Sequence, residues 1–395
     1  MAEPRVVQGR AHEKVLIRDL TRGLTVLTPG IFDEISTAID EEWSVNTQEW
    51  TEINPYETLI NIVARASNRV FLGLPLCRDK SLIRNAIAFA SSVVPCAFLI
   101  RKIPEPFRPF GAPLITLWNK QYRRNLANII RPEVHKRLAQ LNTNPNSATA
   151  SAPMTIHNDF LQWTIEAALD NPGDLDPEIV IQHMGLVNFA AIHTATVTAT
   201  LALFELISQP ELITSVLREE INEVMAKNDN TWSKHAVSRL VKLDSALRES
   251  SRMSPLSAIL IARYVLPKDG ITTPLSGTYL PCGSNVAVPS LAIHKDPTRY
   301  DKPEIYEPFR FVDAAKENDT RAVPLSTTSS NLVAFGAGRH SCPGRFFASL
   351  ELKLIFAYLI QKYDFEYLEK PPERIWAGSV NMPPAKQTIR VKRKE

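Results

Sequence analysis

The sequence is poor in cysteine and glycine, with 4 Cys and 14 Gly in 395 residues against 29 Pro. Cys77, Cys96, Cys282 and Cys342 stand too far apart for a CxxC zinc or redox pair, and they are too few for the disulfide framework of a small secreted domain. Each reads by default as a buried, reduced thiol. Charge of one sign is also lacking. Lys and Arg total 45 and Asp and Glu 42, a net +3 with no basic block, so no nucleic-acid partner is expected. The first ten residues hold no apolar core, and neither a signal peptide nor a signal anchor is read there. The apolar stretch 86–100 is interrupted by Ser91, Ser92 and Pro95 and is too short to span a bilayer. The stretch 185–207 carries Asn188, His193, four threonines and Glu205, the polar load of a helix buried in a soluble domain. No internal repeat is present.

What is present is a globular composition, 44% hydrophobic and 22% charged, which excludes wholesale disorder, collagen and coiled coil. Length alone allows two to four domains, or one large domain built around something. Helical patterns run over 12–42, 57–72 and 113–141, and, after a polar loop at 142–153, over 156–170, 177–207, 210–227 and 233–253. Residues 94–113, with five prolines among Phe98, Phe107 and Phe110, read as a proline-broken apolar connection. Ser208-Gln-Pro-Glu211 reads as a capping box that ends one helix and starts another. Strands are expected over 259–265 and 277–288, proline-dotted coil over 291–335, a last helix over 343–362, and short strands in the final thirty residues. The fold class is mainly α with small β-sheets.

The most informative stretch is Phe335-Gly-Ala-Gly-Arg-His-Ser-Cys-Pro-Gly-Arg-Phe-Phe-Ala348. Glycines at 336, 338 and 344 let the backbone approach a flat ligand closely. Pro343 suits the first position of a helix, which places Cys342 where a helix N-terminus favours thiolate. A lone thiolate presented this way serves as a nucleophile or as an axial metal ligand. The nucleophile needs a base, and His340 stands two residues away; the metal ligand needs a glycine-shaped loop, a thiolate and a helix.

This stretch resembles the haem-binding signature of the cytochrome P-450 superfamily, F-x-x-G-x-[R/H]-x-C-x-G, matched by Phe335, Gly338, His340, Cys342 and Gly344. The resemblance extends upstream. Glu249-Ser-Ser-Arg252 is similar to the family's E-x-x-R helix, and Arg310 in Tyr306-Glu-Pro-Phe-Arg-Phe311 is similar to the arginine of its P-E-R-F segment. The implied role of Glu249, Arg252 and Arg310 is a buried, mutually neutralised cluster that locks the segment beneath the haem loop. Ala190-Ala-Ile-His-Thr194 is similar to the family's oxygen-activating [A/G]-G-x-[D/E]-T, with Ala191 in place of the glycine and His193 in place of the acid. Thr194 and His193 are therefore the implied catalytic pair for proton delivery. Propionate contacts are implied for His340, for Arg263 on the strand after the Glu–Arg helix, and for Arg18, although Lys14 stands where the family usually has tryptophan.

The resemblance implies a cytochrome P-450 fold and a single haem-thiolate monooxygenase domain over 1–395, with Cys342 as the axial ligand of haem b. It implies insertion of one oxygen atom into a small hydrophobic molecule. Electrons come from NADPH through NADPH-cytochrome P-450 reductase, with Arg339, Arg345 and Lys353 as a basic docking face. The wording around Cys342 and Thr194 is similar to fungal secondary-metabolism enzymes that oxidise terpenoids and indole-terpenoids. Family members begin with a membrane anchor and the first sheet strands. Here Met1 falls near the helix after them, so the N-terminal region is expected to be missing and strands 259–265 and 284–288 to have an open edge. As written the chain reads as a soluble monomer; by resemblance the full-length form sits on the endoplasmic reticulum membrane. The alternative is a truncated, haem-poor, non-catalytic member of the family.

Overall fold

The computed structural model describes residues 11–43, 47–143, 157–169, 175–209, 211–317 and 319–394. The expected loop at 142–153 and the Pro210 of the capping box lie outside this set, apart from helical residues 142 and 143.

The helices are α1 (Ala11–Lys14), α2 (Thr21–Glu42), α3 (Pro55–Phe71), α4 (Lys80–Lys102), α5 (Arg108–Ile115), α6 (Leu117–Thr143) and α7 (Phe160–Ala168). They continue with α8 (Pro177–Ile207), α9 (Arg218–Ala226), α10 (Lys234–Ser238), α11 (Val241–Met253), α12 (Ser290–His294), α13 (Arg310–Glu317) and α14 (Arg345–Lys362). Single π-helical turns, Val15–Leu20 and Leu212–Leu217, lead into α2 and α9.

The long helix α8 is the centre of the core. It starts as its sequence directs: Asp176 caps it through the Glu178 amide and Pro177 occupies the first turn. It is apolar around almost its whole circumference, so it must be covered on several sides. Helices α3, α4, α6, α7, α11 and α14 all pack on it. Helix α3 in turn packs on α2, and α14 on α2 and α9, so that Ile35, Ile62, Val63, Leu203, Leu354 and Ile355 share one core.

The sheets are small and antiparallel. β1 (Thr51–Ile53), β9 (Ile389–Arg393) and β6 (Tyr363–Phe365) form one sheet, with Thr51 opposite Val391 and Tyr363 opposite Arg393. β2 (Leu260–Tyr264) pairs with β5 (Asn285–Val288), β3 (Ile271–Thr272) with β4 (Tyr279–Leu280), and β7 (Ile375–Ala377) with β8 (Val380–Met382). The β2–β5 register shifts between Leu260 and Arg263, where Ile261 has φ 55°. A β-branched residue at positive φ is strained, and the bulge turns this ribbon.

Several expectations are corrected. Residues 94–113 are not a loop: α4 continues through Pro95 to Lys102, and α5 follows a short 3₁₀ turn. The proline costs one backbone bond, but the apolar face of α4 (Leu82, Ile83, Ala86 and Ala90) is buried and holds the helix on α6 and α8. The Ser208 hydroxyl donates back to the Phe204 carbonyl at 2.8 Å, and the rest of the expected capping box includes Pro210, outside the described residues. The helix expected over 233–253 breaks at Arg239–Leu240 into α10 and α11, and the 291–335 coil contains α13. The last helix starts at Arg345, not Pro343.

Candidate functional site

The glycine loop before α14 is built around a tight return of the chain. Gly336 (φ 75°) and Gly338 (φ 65°) adopt the left-handed region that other residues resist. The Cys342 amide donates to the Phe335 carbonyl at 2.8 Å and the Ser341 amide to the Gly338 carbonyl at 3.1 Å, closing the loop on itself. Phe335 packs against the core and anchors one end. At the other end Arg345 donates to the Cys342 carbonyl at 3.0 Å while its guanidinium stacks on Phe346. Cys342 is half-buried, and burial pushes its thiol up. The amides of Gly344 and Arg345 and the Arg345 charge act the other way, towards thiolate.

A flat prosthetic group held by the Cys342 sulfur fits the residues present. A Cβ on Gly338 or Gly344 would meet nothing within 4 Å, so both glycines leave open space at the loop surface. Helix α8 supplies a second feature. Leu186, Ala190 and Thr194, spaced four apart on one stripe, are exposed in a helix otherwise largely buried. Thr194 donates its hydroxyl to the Ala190 carbonyl at 2.8 Å. His193 is held on another side of the helix, Nε2 at 3.0 Å from the Ser91 hydroxyl and Nδ1 at 3.5 Å from the Tyr56 hydroxyl. Burial lowers its pKa, with the Ile87 carbonyl partly opposing.

The Glu249–Arg252–Arg310 group is one buried cluster. Arg252 grips both Glu249 oxygens, at 2.7 and 2.8 Å, and Arg310 Nε donates to the same carboxylate at 3.0 Å. The Glu307 amide adds a fourth bond at 3.1 Å. The remaining guanidinium protons reach main-chain carbonyls: Arg252 reaches His294 and Pro303 at 2.7 Å, and Arg310 reaches Asp301 at 2.7 Å. The Tyr300 ring lies 4.9 Å from the Arg252 guanidinium carbon. The Glu307 carboxylate, 2.8 Å from Arg310 Nη2, balances the second guanidinium, so each charge is paired while the carbonyl contacts fix the segment after α12.

The other sequence-predicted residues stand apart. His340 ends the 3₁₀ turn Gly338–His340 and is exposed. Arg263 is exposed on β2 and donates to its neighbour's carbonyl, Ala262, at 2.8 Å. Arg18 is exposed, pairs with Asp19 at 2.8 Å, and lines a cleft with Gly23, Trp163 and Glu166. Lys353 corrects the proposed docking face: it is buried, 2.8 Å from Asp244, and donates to the Val237 carbonyl at 3.2 Å. Arg339 remains exposed.

Sequence reasoning missed Tyr56 and Ser91, which lie 137 and 102 residues from His193 and carry no local signal. It missed His294, whose ring accepts the Val333 amide at 3.0 Å and whose pKa burial lowers to about 4. It also missed Glu351, fully buried on α14 with the Ser67 hydroxyl at 3.1 Å. A carboxyl inside Leu350-Glu-Leu-Lys-Leu-Ile355 was the available signal for that site.

Two helices, Lys80–Lys102 and Pro177–Ile207, are long and apolar enough to cross a membrane by length and composition, and the second is mostly buried in the core.

The family model for cytochrome P-450 matches residues 9–391. Cytochrome P-450 monooxygenase 71 of Postia placenta is 36% identical over 390 residues, covering 98% of this chain and 75% of the relative. Cytochrome P-450 monooxygenase gloP of Glarea lozoyensis is 33% identical, covering 99% of this chain and 74% of its own. Cytochrome P-450 monooxygenase htyF of Aspergillus rugulosus is 33% identical, covering 91% and 54%.

Proposed function

Because the chain belongs to the cytochrome P-450 family, whose fungal members named above are monooxygenases, we propose that it oxidises a small hydrophobic fungal secondary metabolite, a terpenoid or indole-terpenoid, with haem b bound through Cys342. The observation that carries this reading is the closed loop from Phe335 to Arg345. Gly338 and Gly344 leave its surface open, and two amides and a guanidinium draw Cys342 towards thiolate against the burial that raises its thiol. Haem bound by a thiolate supplies the electron density that favours O–O cleavage. The overall change converts a C–H bond, O₂, two electrons and two protons into an alcohol and water.

The residues of this chain do the rest. Gly338 and Gly344 admit the ring, and Arg345 holds the loop through the Cys342 carbonyl. His340, Arg263 and Arg18 are the candidates for propionate contacts. Leu186 and Ala190 give the substrate an apolar wall on the stripe that also presents the Thr194 hydroxyl. Thr194 and His193 move protons to the reaction. NADPH-cytochrome P-450 reductase docks by charge at Arg339 and Arg345, without Lys353. Exposed Phe98, Leu99, Phe107, Phe110 and Leu114 on α4, α5 and the 3₁₀ turn between them support contact with the endoplasmic reticulum membrane surface, as a monomer with one haem domain over 1–395.

The test is the reduced, carbon-monoxide-bound spectrum of the expressed 395 residues. A thiolate-type Soret band that disappears in Cys342→Ala is the expected result. No haem uptake sinks this reading in favour of the haem-poor, non-catalytic alternative.

A further inference from the structure

His193 ties the middle of α8 to two other helices. Its Nε2 lies 3.0 Å from Ser91 Oγ on α4, and its Nδ1 lies 3.5 Å from the Tyr56 hydroxyl on α3. The hydrogen inventory of these groups favours one tautomer. Ser91 has one hydroxyl proton, and the Ile87 carbonyl, 2.8 Å from its oxygen, is an acceptor for it. With that proton directed to the carbonyl, the serine oxygen accepts from His193 and the proton between them belongs to Nε2. That leaves a lone pair on Nδ1, and Tyr56, whose only polar atom is its hydroxyl, is placed to donate to it. The bonds therefore run in one sense, from Tyr56 to His193 to Ser91 to the carbonyl of Ile87. Burial disfavours the imidazolium, so the ring rests neutral, as this arrangement requires. Ser91 and Thr194 are both exposed. His193 is bonded to the first and adjacent along α8 to the second.

We propose that Ser91 and Tyr56 are positioning residues for proton supply at Thr194: they hold the neutral His193 imidazole, with its proton on Nε2 and its lone pair on Nδ1, in one orientation at the position before Thr194 on α8. A neutral imidazole held in this way stands where the motif around Thr194 usually carries a carboxylate. Ser91 is the stronger of the two holders, since a 3.5 Å contact is a weak hydrogen bond and a 3.0 Å one is ordinary. The claim rests on the monooxygenase reading, and it extends that reading to residues on two further helices.

The test has one arm that does not read turnover. Nitrogen-15 histidine spectra of the holoenzyme in its diamagnetic ferrous carbon monoxide form, at neutral pH, report the tautomer of each imidazole. His193→Gln assigns the signal. The wild type is expected to show the Nε2–H tautomer at His193; Ser91→Ala is expected to shift it to a mixture of tautomers, and Ser91→Thr to restore it. In the second arm, product formed per NADPH consumed falls about tenfold in Ser91→Ala, recovers in Ser91→Thr, and falls less in Tyr56→Phe. The Nδ1–H tautomer in the wild type, or a Ser91→Ala protein with unchanged tautomer and unchanged coupling, overturns the proposal. If the chain takes up no haem, the monooxygenase reading fails. The tautomer arm, run on the haem-free chain, still decides whether Ser91 and Tyr56 set the imidazole.

Discussion

Two glutamates, one before and one after the Cys342 loop in sequence, are buried and held in opposite ways. Glu249 on α11 is gripped by Arg252 and Arg310 and by the Glu307 amide. Glu351 on α14 has one partner, the Ser67 hydroxyl. Burial raises the Glu351 carboxyl to about 8, so it stays protonated at neutral pH. The first solution spends three charges to fix one stretch of backbone; the second spends none and leaves a group that titrates. A buried acid is thus a rigid lock or a pH-sensitive element according to whether a guanidinium reaches it.

The largest expected effect comes from turning the first glutamate into the second. Arg252→Ala removes the grip on both Glu249 oxygens and strands the carbonyls of His294, Pro303 and Ile305. Breaking a buried pair on one side costs about 3–5 kcal/mol. A urea titration is expected to show a loss of that size, with Arg252→Lys restoring only part, since an ammonium cannot serve both oxygens and three carbonyls in one plane. A loss below about 1 kcal/mol means the cluster is not the lock its geometry describes.

The second prediction concerns pH. The folded chain keeps the Glu351 proton up to about pH 8, whereas an unfolded chain releases it near pH ~4.3. Between those values the native state binds the extra proton, so this group makes stability fall as pH rises. Glu351→Gln keeps a partner for Ser67 and abolishes the fall, which is on the order of 4 kcal/mol between about pH 5 and pH 8. Unfolding midpoints measured across that range check it; parallel wild-type and variant curves refute it.

His294 supplies the opposite slope. It is fully buried, and its ring is neutral in the fold down to about pH 4, while an unfolded histidine protonates near pH ~6.5. The unfolded state therefore binds more protons across that window, and stability is lost as pH falls through it. His294→Gln retains an acceptor for the Val333 amide and removes a slope on the order of 3 kcal/mol. The two slopes oppose each other between about pH 4.3 and pH 6.5. The wild type is accordingly flatter there than either variant.

These contrasts also show what the sequence carries. Glu249, Arg252 and Arg310 stood out only through the resemblance to the family's E-x-x-R and P-E-R-F segments, because a Glu and an Arg three residues apart are common on helix surfaces. Helix α8 was readable to the residue, since its cap and its apolar run are both local. The partners of Glu351, His193 and His294 come from distant helices and loops, and no spacing encodes them. Strand β1 escaped notice for the same reason: three residues with no alternation of their own become a strand only by pairing with β9 across the whole chain. Pro95 misled because a local breaker was outweighed by burial of the α4 face it interrupts. Lys353 looked like a surface cation until Asp244 was brought beside it.

The smallest effect on stability is expected at Thr194, where the comparison turns from locks to chemistry. Its hydroxyl donates to the Ala190 carbonyl, an acceptor already built into the helix, and Thr198 repeats the arrangement one turn later on the Thr194 carbonyl. Thr194→Ala and Thr198→Ala should each change stability by less than about 0.5 kcal/mol, because the lost bond is redundant and alanine favours helix. They should differ in what they do to oxidation. Thr194 lies on the exposed stripe with Ala190 and Leu186, and Thr198 is half-buried. In Thr194→Ala, NADPH consumption that yields no product should rise, with Thr198→Ala close to the wild type. Equal coupling in the two variants would reduce Thr194 to helix filling and leave His193 as the proton donor to be tested.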